Sequence, residues 1–142
     1  MGKLTERLLD PSRSGVYRAS RTEEIEDALQ GTDLRLSRIS LAGARDKHAL
    51  MDALSLALGF PDWFGRNWDA LEDCLADLSW RPAQGHVLVL ERFDALAKDD
   101  LGILTDVLRS SAESWAGRGR SFFAVFVDPG RSTGLQDLFR EQ

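Results

Sequence analysis

Two stretches in the second half of the chain constrain the fold more than any others. "GHVLVLERF" at 85–93 and "SFFAVFVD" at 121–128 are almost uninterrupted apolar runs of strand length. A strand with one wet face alternates apolar and polar residues, whereas a strand covered on both faces has no need to. Between them lies "KDDLGILTDVLRSSAESWAGRG" at 98–119, helical in pattern and closed by glycines. A buried strand, a helix and a second buried strand form a crossover that brings the chain back parallel to its start, the unit from which α/β sheets are built.

The alternation extends upstream. "SGVYRAS" at 14–20 reads as a short strand, and "TEEIEDALQG" at 22–31 as a helix with Thr22 as N-cap, acids in its first turn and Gly31 at its end. "LRLSRISLAG" at 34–43 is a strand whose apolar content comes from Leu34, Leu36, Ile39 and Leu41, although their alternation is broken. "DKHALMDALSLALGF" then suits a buried helix carried by Leu50, Met51, Leu54, Leu56 and Leu58, stopping at Gly59 before Pro61. From Pro129 the tail is polar, and an irregular or weakly helical course is expected. No repeat or low-complexity block interrupts the pattern. The expected fold class is α/β: a small, mainly parallel sheet packed by helices, in a single domain spanning 1–142.

Charge and cysteine usage narrow the function. The chain carries 23 acidic against 18 basic residues, a net charge of −5, which disfavours a general phosphate-backbone binder and suits a basic partner. Cys74 is the only cysteine, excluding an internal disulfide framework and any multi-cysteine zinc site. The start "MGKLTERLLDPSRSG" lacks the apolar run of a signal peptide, and no uncharged apolar stretch is long enough to span a bilayer. A cytoplasmic protein without cofactor or metal is expected.

The stretch "GFPDWFGRNWDALEDCLADLSW", 59–80, carries the functional signal. With Asn67 as N-cap, residues 68–78 advance about 100° each, gathering Leu71, Cys74, Leu75 and Leu78 on one side and Asp69, Glu72, Asp73 and Asp77 on the other. Simple solvation explains many charged helix faces. This one works against its own helix. Aspartate is a poor helix former, and Asp69, Asp73 and Asp77 stand at i, i+4, i+8, where like charges repel by a few tenths of a kcal/mol per pair. No Lys or Arg within the helix relieves them, and Asp77 lies at the negative end of the helix dipole. Such a stripe calls for an external cation. The loop before it, "FPDWFGRN", combines Pro61, a glycine expected to take a positive φ, and a capping Asn; in it Trp63 is expected to stand half exposed as a contact residue. Trp68, Trp80 and Cys74 read as packing residues, and His48 and His86 as structural or exposed.

These residues resemble the signature of the barstar family, intracellular inhibitors of barnase-type microbial ribonucleases. The resemblance is strongest over Leu58 to Leu75, where Pro61, Trp63, Phe64, Gly65, Asn67, Asp69, Ala70, Leu71, Asp73, Cys74 and Leu75 fall in order, and extends more loosely from Leu34 to Asp128. It implies a three-stranded parallel sheet, with the acidic helix and its loop plugging a ribonuclease active site. Asp73 then stands where an RNA phosphate would lie, facing the enzyme's Arg and His side chains, with Asp69 a second acidic contact. Trp63 takes the place of a stacking aromatic, and Gly65 and Asn67 belong to the contacting loop. Two positions depart: Glu72 stands where the family has an interface tryptophan, and a second family acid falls near Ser114, with Glu113 adjacent. The first 33 residues have no counterpart in the minimal family, and a fourth strand and a helix can come from them. Two other readings stay open: an immunity or regulatory module for another basic protein, and an enzyme using the carboxylates with a divalent metal or as acid and base.

Overall fold

A computed structural model describes residues 2–139, so the last three positions of the expected tail, 140–142, lie outside the described residues. The strands are β1 (Gly15–Ala19), β2 (Leu34–Ser40), β3 (Gly85–Glu91) and β4 (Phe122–Val127), and they form an all-parallel sheet in the order β1-β4-β3-β2. The helices are α1 (Lys3–Leu8), α2 (Glu23–Leu29), α3 (Lys47–Leu58), α4 (Trp68–Asp77) and α5 (Lys98–Gly117), with a single 3₁₀ turn at Pro11–Arg13. The α/β class and the parallel sheet agree with the sequence expectation. The fourth strand comes from the N-terminal segment, Gly15 lying opposite Phe123 and Ala19 opposite Val127.

Topology explains why the apolar runs are uninterrupted. From β2 through β3 to β4 the chain steps across the sheet in one direction, whereas β1 to β2 crosses back over its whole width. Right-handed crossovers running in opposite directions place their helices on opposite faces. Side chains of β3 and β4 therefore divide between two cores. Leu88, Leu90, Phe122, Ala124 and Phe126 meet the side chains of α3, α4 and α5. Val87, Val89, Phe123 and Val125 meet Leu8, Ile25 and Leu29 of α1 and α2. The first 33 residues thus supply one edge strand and most of the cover of one sheet face, completed by Leu138.

Two local expectations need correction, and one short helix was not foreseen. Leu56, read as a buried residue of α3, is 88% exposed. Leu50, Leu54 and Leu58 recur every fourth residue and share one face with Met51, while Leu56 lies about 200° from Leu54 and points away. Thr22 occupies the N-cap position of α2 without capping it; its hydroxyl accepts instead from Arg38 Nη2 at 3.1 Å, and the same guanidinium pairs with Glu26 and Glu91. Helix α1 was not legible at all, being six residues long with no side-chain cap.

The tail is irregular as expected, but it is not loose. Arg18 N–H donates to the Gln136 carbonyl at 2.8 Å and Leu138 N–H donates to the Arg18 carbonyl at 2.9 Å, forming a bridge along the free edge of β1. Leu138 is fully buried in the second core. An edge strand covered this way offers no template for another chain.

Candidate functional site: the acidic helix and its loop

Helix α4 begins as its sequence predicts. Asn67 Oδ1 accepts from Ala70 N–H at 2.8 Å, satisfying one of the open donors of the first turn. The helix ends at Asp77, and Leu78 takes a left-handed conformation (φ 49°) while its N–H donates to the Cys74 carbonyl. Leu71, Cys74, Leu75 and Leu78 are buried, and Asp69, Asp73 and Asp77 are exposed on the opposite side. Eight residues at 1.5 Å rise spread the three carboxylates over about 12 Å. Among the described residues none of the three forms an ion pair or accepts a side-chain hydrogen bond.

Glu72 behaves differently. It is half-buried, and its carboxylate accepts from Ser110 Oγ of α5 at 2.8 Å. A rotation of about 100° from Asp73 turns it toward the neighbouring helix, away from the stripe. Farther along the same contact, Arg118 Nη2 donates to the Ala76 carbonyl at 2.6 Å, with its guanidinium 4.4 Å from the centre of the Trp115 ring. The dipole at the end of α4 is thus met by an internal cation, but Arg118 binds the helix carbonyl and not the Asp77 carboxylate, so the stripe itself has no cation among the described residues. Ser110, Ser114 and Arg118 stand at i, i+4, i+8 on α5, so Ser114 lies between the two helix contacts and Glu113, also exposed, is turned one position aside. Sequence reading missed Ser110 and Arg118 as supports of the acidic helix. No local pattern announced them, because their partners on α4 lie 38 and 42 positions away.

Cys74 is fully buried, and burial together with the charges of Asp73 and Asp77 pushes its thiol up to about 11. It stays protonated at neutral pH and serves as a small core residue, as its place on the apolar face indicated.

The loop is built on a chain of edge-on rings. Phe64 is buried against Phe60 (centroids 4.8 Å), Phe60 against Trp80 (5.9 Å), and Trp80 against Trp63 (6.4 Å). Trp80 Nε1 donates to the Leu58 carbonyl at 3.0 Å, fixing the ring on which Trp63 leans. Trp63 itself is 65% exposed, an aromatic presented to solvent on a rigid base. The expected positive φ at Gly65 falls instead on Arg66 (φ 56°), whose Nη2 lies 2.8 Å from Asp52 Oδ1 of α3. Glycine at 65 eases a close approach: a Cβ there would lie 3.3 Å from Asn67 Nδ2, so that the capping amide would have to shift by a few tenths of an ångström, and in ordinary contact with Ala70 Cβ at 3.6 Å.

Of the expected contact residues, Asp69, Asp73 and Asp77 share one exposed face, Gly65 and Asn67 form its entry, Trp63 stands out from the loop, and Glu72 is engaged with α5. Trp68 and Trp80 pack against the main core and His48 is exposed; His86 is fully buried. Among the described residues no three or more His, Cys, Asp or Glu side chains are grouped to hold a metal ion, and no helix is long and apolar enough to cross a membrane.

The chain is an α/β module in which a helix flanking a parallel sheet displays an acid stripe, unpaired among the described residues, behind an aromatic loop. The family model described as Barstar (barnase inhibitor) matches residues 34–127, and the chain belongs to that family. The matched span begins at β2 and ends at β4, so α1, β1 and α2 lie outside it. Among solved structures, the chain is similar to one titled for the Aeropyrum pernix ORC2 protein in ADPNP-ADP complexes, with TM-score 0.53 and 16% identity, covering 95% of this chain and 40% of that one. At that identity the likeness shows the fold alone. No curated protein matches the chain.

Proposed function

We propose that the chain inhibits a barnase-type microbial ribonuclease by presenting the α4 carboxylates to the enzyme's cationic active site in place of RNA phosphates. The observation that carries this reading is the row Asp69, Asp73 and Asp77, exposed and without internal partners on a helix whose other side is fully buried. Asp73 takes the phosphate position, Asp69 and Asp77 extend the negative field along the helix, and Trp63, Gly65 and Asn67 supply the loop contacts. Family membership supports the inhibitor class. Ser114 adds no charge where a second family acid is expected, and Glu72 reaches the enzyme only by giving up Ser110; both differences bear on which ribonuclease is bound.

The test is titration of a barnase-type ribonuclease with the chain and with Asp73→Ala, following residual RNA cleavage. Loss of one member of a desolvated charge pair costs about 2–5 kcal/mol of binding, mostly as faster dissociation. Association of the unaltered chain should slow as salt rises, because steering between separated charges is screened beyond about 10 Å at 0.1 M. Equal affinities for the two forms would sink the phosphate-mimic mechanism. No binding by either form, with capture of a different basic protein from the source cells, would favour the regulatory-module reading.

A further inference from the structure

A second charged feature lies beyond the end of the acid stripe. The segment after α4, the start of β2 and the end of α5 enclose a cleft of about 860 Å³ whose lining includes Arg81, Arg118, Arg120, Asp33 and Asp77. In a chain of net charge −5, three arginines lining one concavity run against the composition. Among the described residues none of the three is in an ion pair, although two aspartates share the cleft.

Each guanidinium is held by neutral acceptors and retains donors. Arg81 Nη2 donates to Ser37 Oγ at 3.1 Å, while its Nε is buried without a partner. Arg118 is fixed by the Ala76 carbonyl and the Trp115 ring. Arg120 has a single long bond, from Nη1 to the Ala83 carbonyl at 3.4 Å. At Arg81, burial and the charge of Arg35, which lies outside the cleft lining, both disfavour the charged form. Arginine forks match oxyanions in geometry as well as charge, and an anion between them removes their mutual repulsion. Asp33 and Asp77 accept hydrogen bonds, so they suit hydroxyl or amino groups on the same molecule.

We propose that this cleft binds a small phosphorylated molecule, its phosphate held by Arg81, Arg118 and Arg120 and its hydroxyl groups by Asp33 and Asp77. A long polyanion such as RNA is disfavoured, because the acid stripe begins at the cleft's own Asp77 and repels an extended phosphate backbone. The site shares Asp77 with the acid stripe but not Asp73 or the loop, and inhibition is not its readout.

The experiment is calorimetric titration of the full chain with inorganic phosphate, ribose 5-phosphate and ribose, each against potassium chloride of matched ionic strength. Ribose 5-phosphate should saturate with Kd on the order of 1 mM or tighter, inorganic phosphate should bind more weakly, and ribose should not bind. Arg120→Gln should weaken ribose 5-phosphate binding about tenfold with the melting curve unchanged, because its one internal bond is long. Asp33→Asn should erase the advantage of ribose 5-phosphate over inorganic phosphate. No saturation by either phosphate compound would overturn the proposal, as would equal binding to Arg120→Gln or an effect reproduced by potassium chloride.

Discussion

Carboxylates are used in opposite ways at two places in this molecule. Beyond the ends of β1 and β4, Asp128 accepts four hydrogen bonds, from the N–H and hydroxyl groups of Ser132 and Thr133 at 2.8–2.9 Å. Beside it the guanidinium of Arg18, 2% exposed, donates to Asp137 Oδ2 at 2.7 Å, to the Asp128 carbonyl at 2.9 Å and to Ser20 Oγ at 2.9 Å. On α4, Asp69, Asp73 and Asp77 use none of their oxygens internally. Charge count alone does not separate a structural acid from a functional one. The separation lies in whether the lone pairs are already spent, since a saturated carboxylate has nothing left to offer a partner and an unsaturated one on a repelling row gains by meeting one.

The largest effect is expected where the charges are spent. Arg18→Ala strips Asp137 and the Asp128 carbonyl of their buried donor, while the backbone bonds of residue 18 to Gln136 and Leu138 remain. Removing one partner of a buried pair costs about 3–5 kcal/mol; the lower end applies here, because Arg131 Nη2 remains 3.7 Å from Asp137 Oδ2. The urea midpoint measures it. A loss below about 1 kcal/mol would mean that the clamp is ornamental and that the contrast with α4 is only one of exposure.

Acid titration sharpens the same contrast in two separate steps. His86 is fully buried against the Trp115 ring (centroids 5.1 Å) with neither ring nitrogen partnered, and burial, aided by the charges of Arg81 and Arg35, lowers its pKa to about 4. The unfolded chain takes up that proton near 6.5 and the folded chain only near 4. Stability is therefore full above about pH 6.5 and falls by about 3 kcal/mol as pH drops to 4. Asp128 follows lower down: burial alone would raise its pKa, but the bonds from Thr133 and Ser132 win and hold it at about 2. Its contribution is present above the ordinary 3.8 and is lost as pH falls toward 2, a step of about 2 kcal/mol. Denaturant midpoints between pH 7 and 2 should show both steps, and His86→Leu should remove only the upper one. A flat profile from pH 7 to 4 would show that His86 reaches a proton acceptor or solvent in the folded state.

What could be read in advance follows from where each signal is stored. The strands, the Asn67 cap and the division of α4 into buried and acidic sides are local patterns, and all were legible. Residues whose partners are distant in sequence were not: Ser110 and Arg118 acquire their roles only when α5 lies along α4, and Arg18 meets Asp137 across 119 positions. The three cleft arginines likewise come from two separate segments with no pattern of their own. Gly65 shows a subtler limit. A glycine in a tight loop announces a backbone need, but not whether the need is a positive φ or a close neighbour, and here Arg66 took the φ.

The smallest effect is the most diagnostic. Asp73→Ala leaves no buried donor unpaired, because the carboxylate is exposed and no internal hydrogen bond or ion pair depends on it. Alanine is the better helix former, and the change relaxes repulsion with Asp69 on one side and Asp77 on the other. The free protein should hold its stability or gain on the order of 0.5–1 kcal/mol from these sources together, read as an unchanged or slightly higher Tm. The neighbouring Glu72→Gln is the control on the same helix turn, since the amide oxygen still accepts from Ser110 Oγ and should leave stability within about 0.5 kcal/mol of the parent. A clear fall in Tm for Asp73→Ala would place this aspartate with Asp128 among the acids that hold the fold, and the division between spent and unspent carboxylates would fail at the residue on which the proposed inhibition most depends.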